Sequence, residues 1–160
     1  MDDDNALLRE LKTRARLRLN AARRGEGAGD ESREPKLRDC LNAVSRDAGF
    51  AHWEHARTVL GGDAATGADI GAFWYAPGCA ALLNQWFADY DAASAVHARE
   101  RGAFLLPYRR QFVVVKAEFI RELGLDPGDA SWEAAGRDLV RAYASAAWVA
   151  LASQRLRAMR

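Results

Sequence analysis

The sequence predicts a mainly α-helical α+β protein, and three observations carry that expectation. Apolar residues recur at the helical period of about 3.6 residues through most of the segments before residue 61 and after residue 116. Between Ala103 and Lys116 the period changes. Two short apolar runs, Phe104-Leu105-Leu106 and Phe112-Val113-Val114-Val115, flank Pro107-Tyr108-Arg109-Arg110-Gln111 and read as a β-hairpin. Between them lies Gly61–Gly71, GGDAATGADIG, a linker by composition. The expected architecture is a three-helix unit in residues 1–62, followed by a helical unit in 72–160 packed on one hairpin at about 103–116.

Asp2, Asp3 and Asp4 with Asn5 favour a helix N-terminus, where negative charge meets the positive end of the helix dipole. Leu8, Leu11, Ala15, Leu19 and Ala22 then form one stripe. Arg9, Lys12, Arg16 and Arg23 line one flank of it, and Arg14 and Arg18 the other. Gly25–Glu34 reads as an acidic, flexible loop. Pro35 suits a first helical turn, and Leu37, Cys40, Leu41, Val44 and Ala48 make the next stripe. Gly49 supplies the left-handed residue that closes this helix, and Phe50 is expected to fold back on it. Trp53, Ala56 and Leu60 form a shorter stripe, stopped at Gly61-Gly62.

Phe73–Cys79, FWYAPGC, brings three aromatics into a turn-forming context. Ala80–Tyr90 reads as a core helix with Leu82, Leu83, Trp86, Phe87 and Tyr90 apolar on more than one side. Asp91 can cap a helix from Ala92 to Arg101, ended by Gly102. The hairpin strands are expected to be covered on both faces, with Pro107 marking an edge strand. Phe119, Ile120 and Leu123 share one face of a helix stopped by Gly124. Asp129 or Ser131 caps a helix starting at Trp132, and apolar positions continue it through Tyr143, Trp148 and Leu151. Arg155, Arg157 and Arg160 fall near its negative end.

Hydrophobic content of 49% and charged content of 28% are those of a globular chain rather than a disordered one. No apolar run is long enough for a bilayer span, which argues against a membrane partner. The opening MDDDNALLRE is acidic where a secretory signal is basic and then apolar, and Cys40 and Cys79 are too few for a disulfide framework. A cytoplasmic location with reduced thiols is expected. Net charge is only +1, yet it is segregated: seven basic residues against Glu10 alone in residues 5–24, and no Lys or Arg from Thr58 to Ala98.

Leu11-Lys12-Thr13-Arg14-Ala15 in a basic helix, then a helix ending in Gly49-Phe50, then Trp53, resembles a short N-terminal module of uncharacterised bacterial proteins. Some of those are named as relatives of the glyoxalase superfamily. The resemblance covers about the first third of the chain, and His52 stands where that pattern tends to have Ser. It implies a small helical module and no particular activity. The βαβββ units and His/Glu ligands of a glyoxalase metal domain are not seen in the remaining residues.

The helix pair at 36–61 has the turn length of a DNA-reading helix-turn-helix. Its second helix, however, offers Glu54 beside His52 and His55, with Arg57 the only strong base, which does not suit base-edge recognition. His52-x-x-His55 has metal-ligand spacing but no fixed third ligand, so a structural role is favoured and no metal is assigned. Cys79, between Pro77-Gly78 and a helix, is a candidate thiolate with His97 as its base, weighed against a buried small Cys. Asp89 and Asp91 point to different helix faces and suit capping. Trp74, Tyr75, Cys79, Trp86 and Tyr90 are the candidate lining of an aromatic pocket. Arg109 and Arg110 at the hairpin tip can meet phosphate or carboxylate. There is no phosphate-binding glycine loop, G-x-S-x-G, C-x-x-C or H-E-x-x-H, so no cofactor is expected.

The expectation is therefore a non-enzymatic binding or adaptor protein. It would contact nucleic acid or an acidic protein through Arg9, Lys12, Arg16 and Arg23 and through Arg109 and Arg110, with homo-oligomerisation left open. The rival expectation is a small-molecule-binding protein or enzyme using residues 73–90.

Overall fold

Asn5 starts the first helix. Its side-chain oxygen accepts from the N–H groups of Leu7 and Leu8, and its amide donates to Leu60 O at 3.0 Å, so one residue caps its own helix and ties it to another. That helix, α1, spans Ala6–Arg23, and α2 (Leu37–Asp47) and α3 (Trp53–Leu60) follow. The structure, a computed structural model, describes residues 5–25 and 34–159. The acidic run Asp2–Asp4, most of the loop expected at 25–34 and Arg160 lie outside the described residues.

Gly49 closes α2 at φ 94°, and an added Cβ there would meet the carbonyl carbon of Ala72 at 2.7 Å. Gly49 O accepts from the N–H of Ala72 at 2.8 Å, so the α2–α3 corner and the 71–73 segment cross at backbone contact. Phe50 is buried and stacks on Phe73, as its return to the core requires.

A 3-10 turn, Pro77–Ala81, precedes β1 (Gln85–Phe87) and α4 (Tyr90–Arg99). β2 (Phe104–Tyr108) and β3 (Gln111–Val115) form the expected hairpin, and α5 (Ala117–Glu122), α6 (Ala130–Ala134) and α7 (Ala146–Ala158) complete the described elements. The sheet is antiparallel in the order β1-β3-β2, with Trp86 and Leu106 both opposite Val113. Alternation then sorts the side chains. Phe104, Leu106, Val113 and Val115 face the core shared by α1–α3 and α5–α7. Leu105, Phe112 and Val114 face a smaller cluster with Ala93 and Val96 of α4. The fold is thus α+β and mainly helical, with β2 and β3 covered on both faces and β1 partly exposed.

Three expectations are corrected. Ala80–Tyr90 is not a helix. After the 3-10 turn, Leu82 is extended and Gln85–Phe87 joins β3, because pairing Trp86 and Phe87 with Val113 and Phe112 gives their backbone a ladder. Leu83, expected in a core helix, is fully exposed. The helix starting near Trp132 does not run on to Leu151. Gly136, Arg137 and Ala144 adopt positive φ, and Arg137–Leu139 pairs with the outer edge of β2 instead. Leu105 donates to Arg137 O at 2.8 Å and Leu139 donates to Leu105 O at 2.9 Å. Finally, Asp89 rather than Asp91 caps α4.

The segment between residues 61 and 71 does not separate two cores. Leu7, Leu11, Val44, Leu60, Trp74, Trp148 and Leu156 belong to one buried cluster. Tyr143 reaches across, its hydroxyl accepting from Ala64 N–H at 3.2 Å and donating to Val59 O. Arg155, in the last turn of α7, is buried rather than solvated at the helix end. It donates to Phe73 O, Leu123 O and Tyr75 O at 2.8–2.9 Å, and burial lowers its pKa.

Candidate binding surface

The β2–β3 connection has only two residues, Arg109 and Arg110, so the chain must reverse sharply, and Arg109 takes φ 51° to do so. Its backbone is held: Arg109 N–H donates to Gly71 O at 2.8 Å, and Ile70 N–H donates to Arg109 O at 3.0 Å. The 69–71 segment is fixed in turn. Asp69 Oδ1 accepts from Gly71 N–H, and Asp69 O lies 2.6 Å from His55 Nε2. Ala51 N–H donates to His55 Nδ1, so the proton sits on Nε2, which is the donor to Asp69 O. The hairpin tip is therefore a braced turn whose two arginine side chains project, exposed, from a rigid backbone.

Strand alternation puts Tyr108 and Trp86 on the same sheet face, and Tyr75 packs over both. The ring centroids are 5.0 Å apart for Tyr75–Tyr108, 5.3 Å for Trp86–Tyr108 and 6.4 Å for Tyr75–Trp86. The Arg109 guanidinium carbon lies 5.4 Å from the Tyr108 ring centre. Trp86 is 41% exposed and Leu83 fully so, while Tyr75 and Tyr108 are half-buried. The result is a partly exposed three-ring surface bordered by two arginines, with Asp69 sharing the concavity at the tip.

The five residues expected to line one pocket are distributed over three places. Tyr75 and Trp86 join this surface. Trp74 is buried between Phe73 and Trp148. Tyr90 lies on the opposite sheet face, where it donates to Asp138 Oδ2 at 2.6 Å. Burial and that carboxylate push its pKa up to about 12. Cys79 is fully buried, and desolvation raises its thiol pKa further than the neighbouring Arg155 lowers it. His97 bonds Ala103 O from α4, which packs on the other sheet face from the cluster holding Cys79. The thiol–base pair considered from sequence is therefore not assembled.

On α1, Arg9, Arg16 and Arg23 are exposed and Lys12 is half-buried. The other flank is used internally. Arg14 pairs with Glu10 and donates to Leu156 O at the end of α7, and Arg18 pairs with Asp47 of α2 at 2.8 Å. This helix packs chiefly on α2, α3 and α7, and the hairpin on β1 and α4, so the two basic patches sit on separate parts of the fold. His52 caps α3 by accepting from His55 N–H, and both nitrogens of His55 are engaged. Among the described residues no group of three or more His, Cys, Asp or Glu is placed to hold a metal ion, and no helix is long and apolar enough to cross a membrane.

The sequence places Arg109 and Arg110 beside Tyr108 but does not reveal Trp86 as the ring packed against that tyrosine. The missed signal is Gln85-Trp86-Phe87, whose aromatics favour a strand. Comparison with protein-family models, curated proteins and solved structures finds no match.

Proposed function

We propose that this chain is a non-enzymatic binding protein for single-stranded nucleic acid. Bases would stack on Trp86 and the adjoining tyrosines while Arg109 and Arg110 meet phosphate. The observation that supports the reading is the convergence of a partly exposed aromatic cluster with two arginines on a braced turn. Stacking platforms bordered by cations bind single strands with little sequence preference. The flank of α1 with exposed Arg9, Arg16 and Arg23 and half-buried Lys12 adds a second cationic surface for the same polyanion.

The test is fluorescence anisotropy with labelled single-stranded oligonucleotides. Binding should weaken steeply between about 50 and 200 mM salt. Trp86→Ala should weaken it by about 1–3 kcal/mol, and Arg109→Gln with Arg110→Gln, or Arg16→Glu, should reduce the salt slope. No binding at low salt would sink the reading. Binding to an acidic polypeptide but not to oligonucleotides would move the partner to the acidic-protein class.

A further inference from the structure

β1 is the open edge of the sheet. The order β1-β3-β2 gives it one neighbour, whereas the outer side of β2 is taken by residues 137–139. Along an antiparallel strand, alternate residues turn both backbone groups away from the neighbour. Among the described residues no backbone hydrogen bond joins residues 83–88 to anything but β3. Such an edge is a template for a further strand, and natural sheets guard theirs with charge, proline or a bulge. Leu82–Ala88, LLNQWFA, has no charge and no proline, and its register with β3 is regular. Two of the four large apolar side chains exposed among the described residues stand here, Leu83 fully and Trp86 at 41%, so apolar exposure concentrates along this edge.

The occupant that fits is a second copy of this chain. An uncharged edge offers no ion pair to a charged partner, while two such edges meet without like charges between them. Antiparallel pairing of a strand with itself is two-fold, the symmetry of most dimers. Placed at Trp86, the axis sets the two Trp86 residues opposite each other, Asn84 opposite the partner's Ala88 and Leu83 opposite the partner's Asp89. Whichever alternate residues point outward, this register gives them partners. There is room for it. The helix on the other face, α4, packs most on the central strand β3. That strand lies about 7 Å from such an axis, so the two α4 helices sit about 14 Å apart and clear their own diameter of about 10 Å.

We infer that two copies of this chain pair antiparallel through β1, about a two-fold at Trp86, and join their three-stranded sheets into one. The two Trp86 rings then lie side by side on the face that carries Tyr108, a cross-strand aromatic pair. The partner's Trp86 thereby extends the three-ring surface, so the stacking platform is built by two copies. That last consequence, unlike the pairing itself, rests on the nucleic-acid reading.

The experiment is sedimentation equilibrium of the full chain without nucleic acid, from about 1 μM to about 1 mM. A monomer–dimer equilibrium is expected, with a dissociation constant below about 1 mM. Leu83 is fully exposed, so charged replacements leave the fold intact. Leu83→Glu faces the partner's Asp89 and should dimerise at least about fivefold more weakly than Leu83→Lys, and the gap should close near 1 M salt. Amide exchange followed by NMR should show protection within residues 84–88 rising with protein concentration. A monomer at 1 mM, equal dimerisation of the Glu and Lys variants, or concentration-dependent protection confined to other residues would overturn the pairing. A monomeric chain that still binds oligonucleotides would leave the single-strand reading standing, and a dimer that binds none would remove that reading alone.

Discussion

Two charged residues are buried at positions that the sequence presents as unremarkable. Arg155 spends three guanidinium donors on three carbonyls from two segments, so it fastens the 73–75 stretch and the end of α5 to α7 with no carboxylate partner among the described residues. Asp138 accepts from the N–H groups of Val140 and Arg141 on one oxygen and from Tyr90 on the other. Tyr90 is therefore held neutral in the native state, at a pKa of about 12 against an ordinary value of 10.0. Between those values the unfolded chain has lost a proton that the native chain keeps, so stability falls as pH rises through that window and is complete below it. Tyr90→Phe should lower stability by about 1–2 kcal/mol near neutrality by orphaning Asp138. It should also flatten the alkaline decline in urea midpoints measured from about pH 8 to about pH 11.5. An unchanged alkaline slope would show that Tyr90 does not carry it. From sequence, Arg155 looked like a dipole partner at a helix end. Burial of a charged residue depends on carbonyls about 80 positions away, which no local pattern reports.

At the scale of elements, α1–α3 and the hairpin were legible because each satisfies its own local rule. Their apolar periods are clean, Gly49 sits at a turn, and β2 and β3 need only a two-residue connection. The elements that misled are those whose backbone bonds are made at a distance. β1 exists because β3 offers it a ladder, and residues 137–139 leave the helical path to cover the edge of β2. Gly136-Arg137-Asp138, a helix terminator followed by a turn former, was the available sign. The Gly49 corner gives a sharp test. Gly49→Ala places a methyl within 2.7–2.9 Å of Ala72 and Phe73 backbone atoms in a left-handed conformation. The cost should be at least about 2 kcal/mol, measured by urea unfolding. A loss below about 0.5 kcal/mol would mean that the crossing with residues 72–73 yields readily.

For the whole molecule, the single buried cluster shared by α1–α3 and the C-terminal helices predicts one cooperative unfolding transition. Far-UV circular dichroism and tryptophan fluorescence should melt together. A fragment of residues 1–62 should lack stable helix, since Leu7, Leu11 and Leu60 lose the partners contributed by α7 and the sheet. Two separated transitions, or a folded fragment, would show that the glycine-rich segment divides the chain after all. The candidate site was legible only in parts. The charged tip and the aromatic stretch stood out separately, but their meeting depends on strand register across β1 and β3, which pattern alone does not fix.

The contact between Arg14 and the end of α7 spans 142 residues. At a synthesis rate of about 5–20 residues per second, α1 waits on the order of ten seconds for its last neighbour to emerge. During that interval its Leu8–Leu11–Ala15 stripe has only α2 and α3 for cover. The arginines along its flanks put charged heads at the edges of that stripe, which favours keeping a half-covered helix in water.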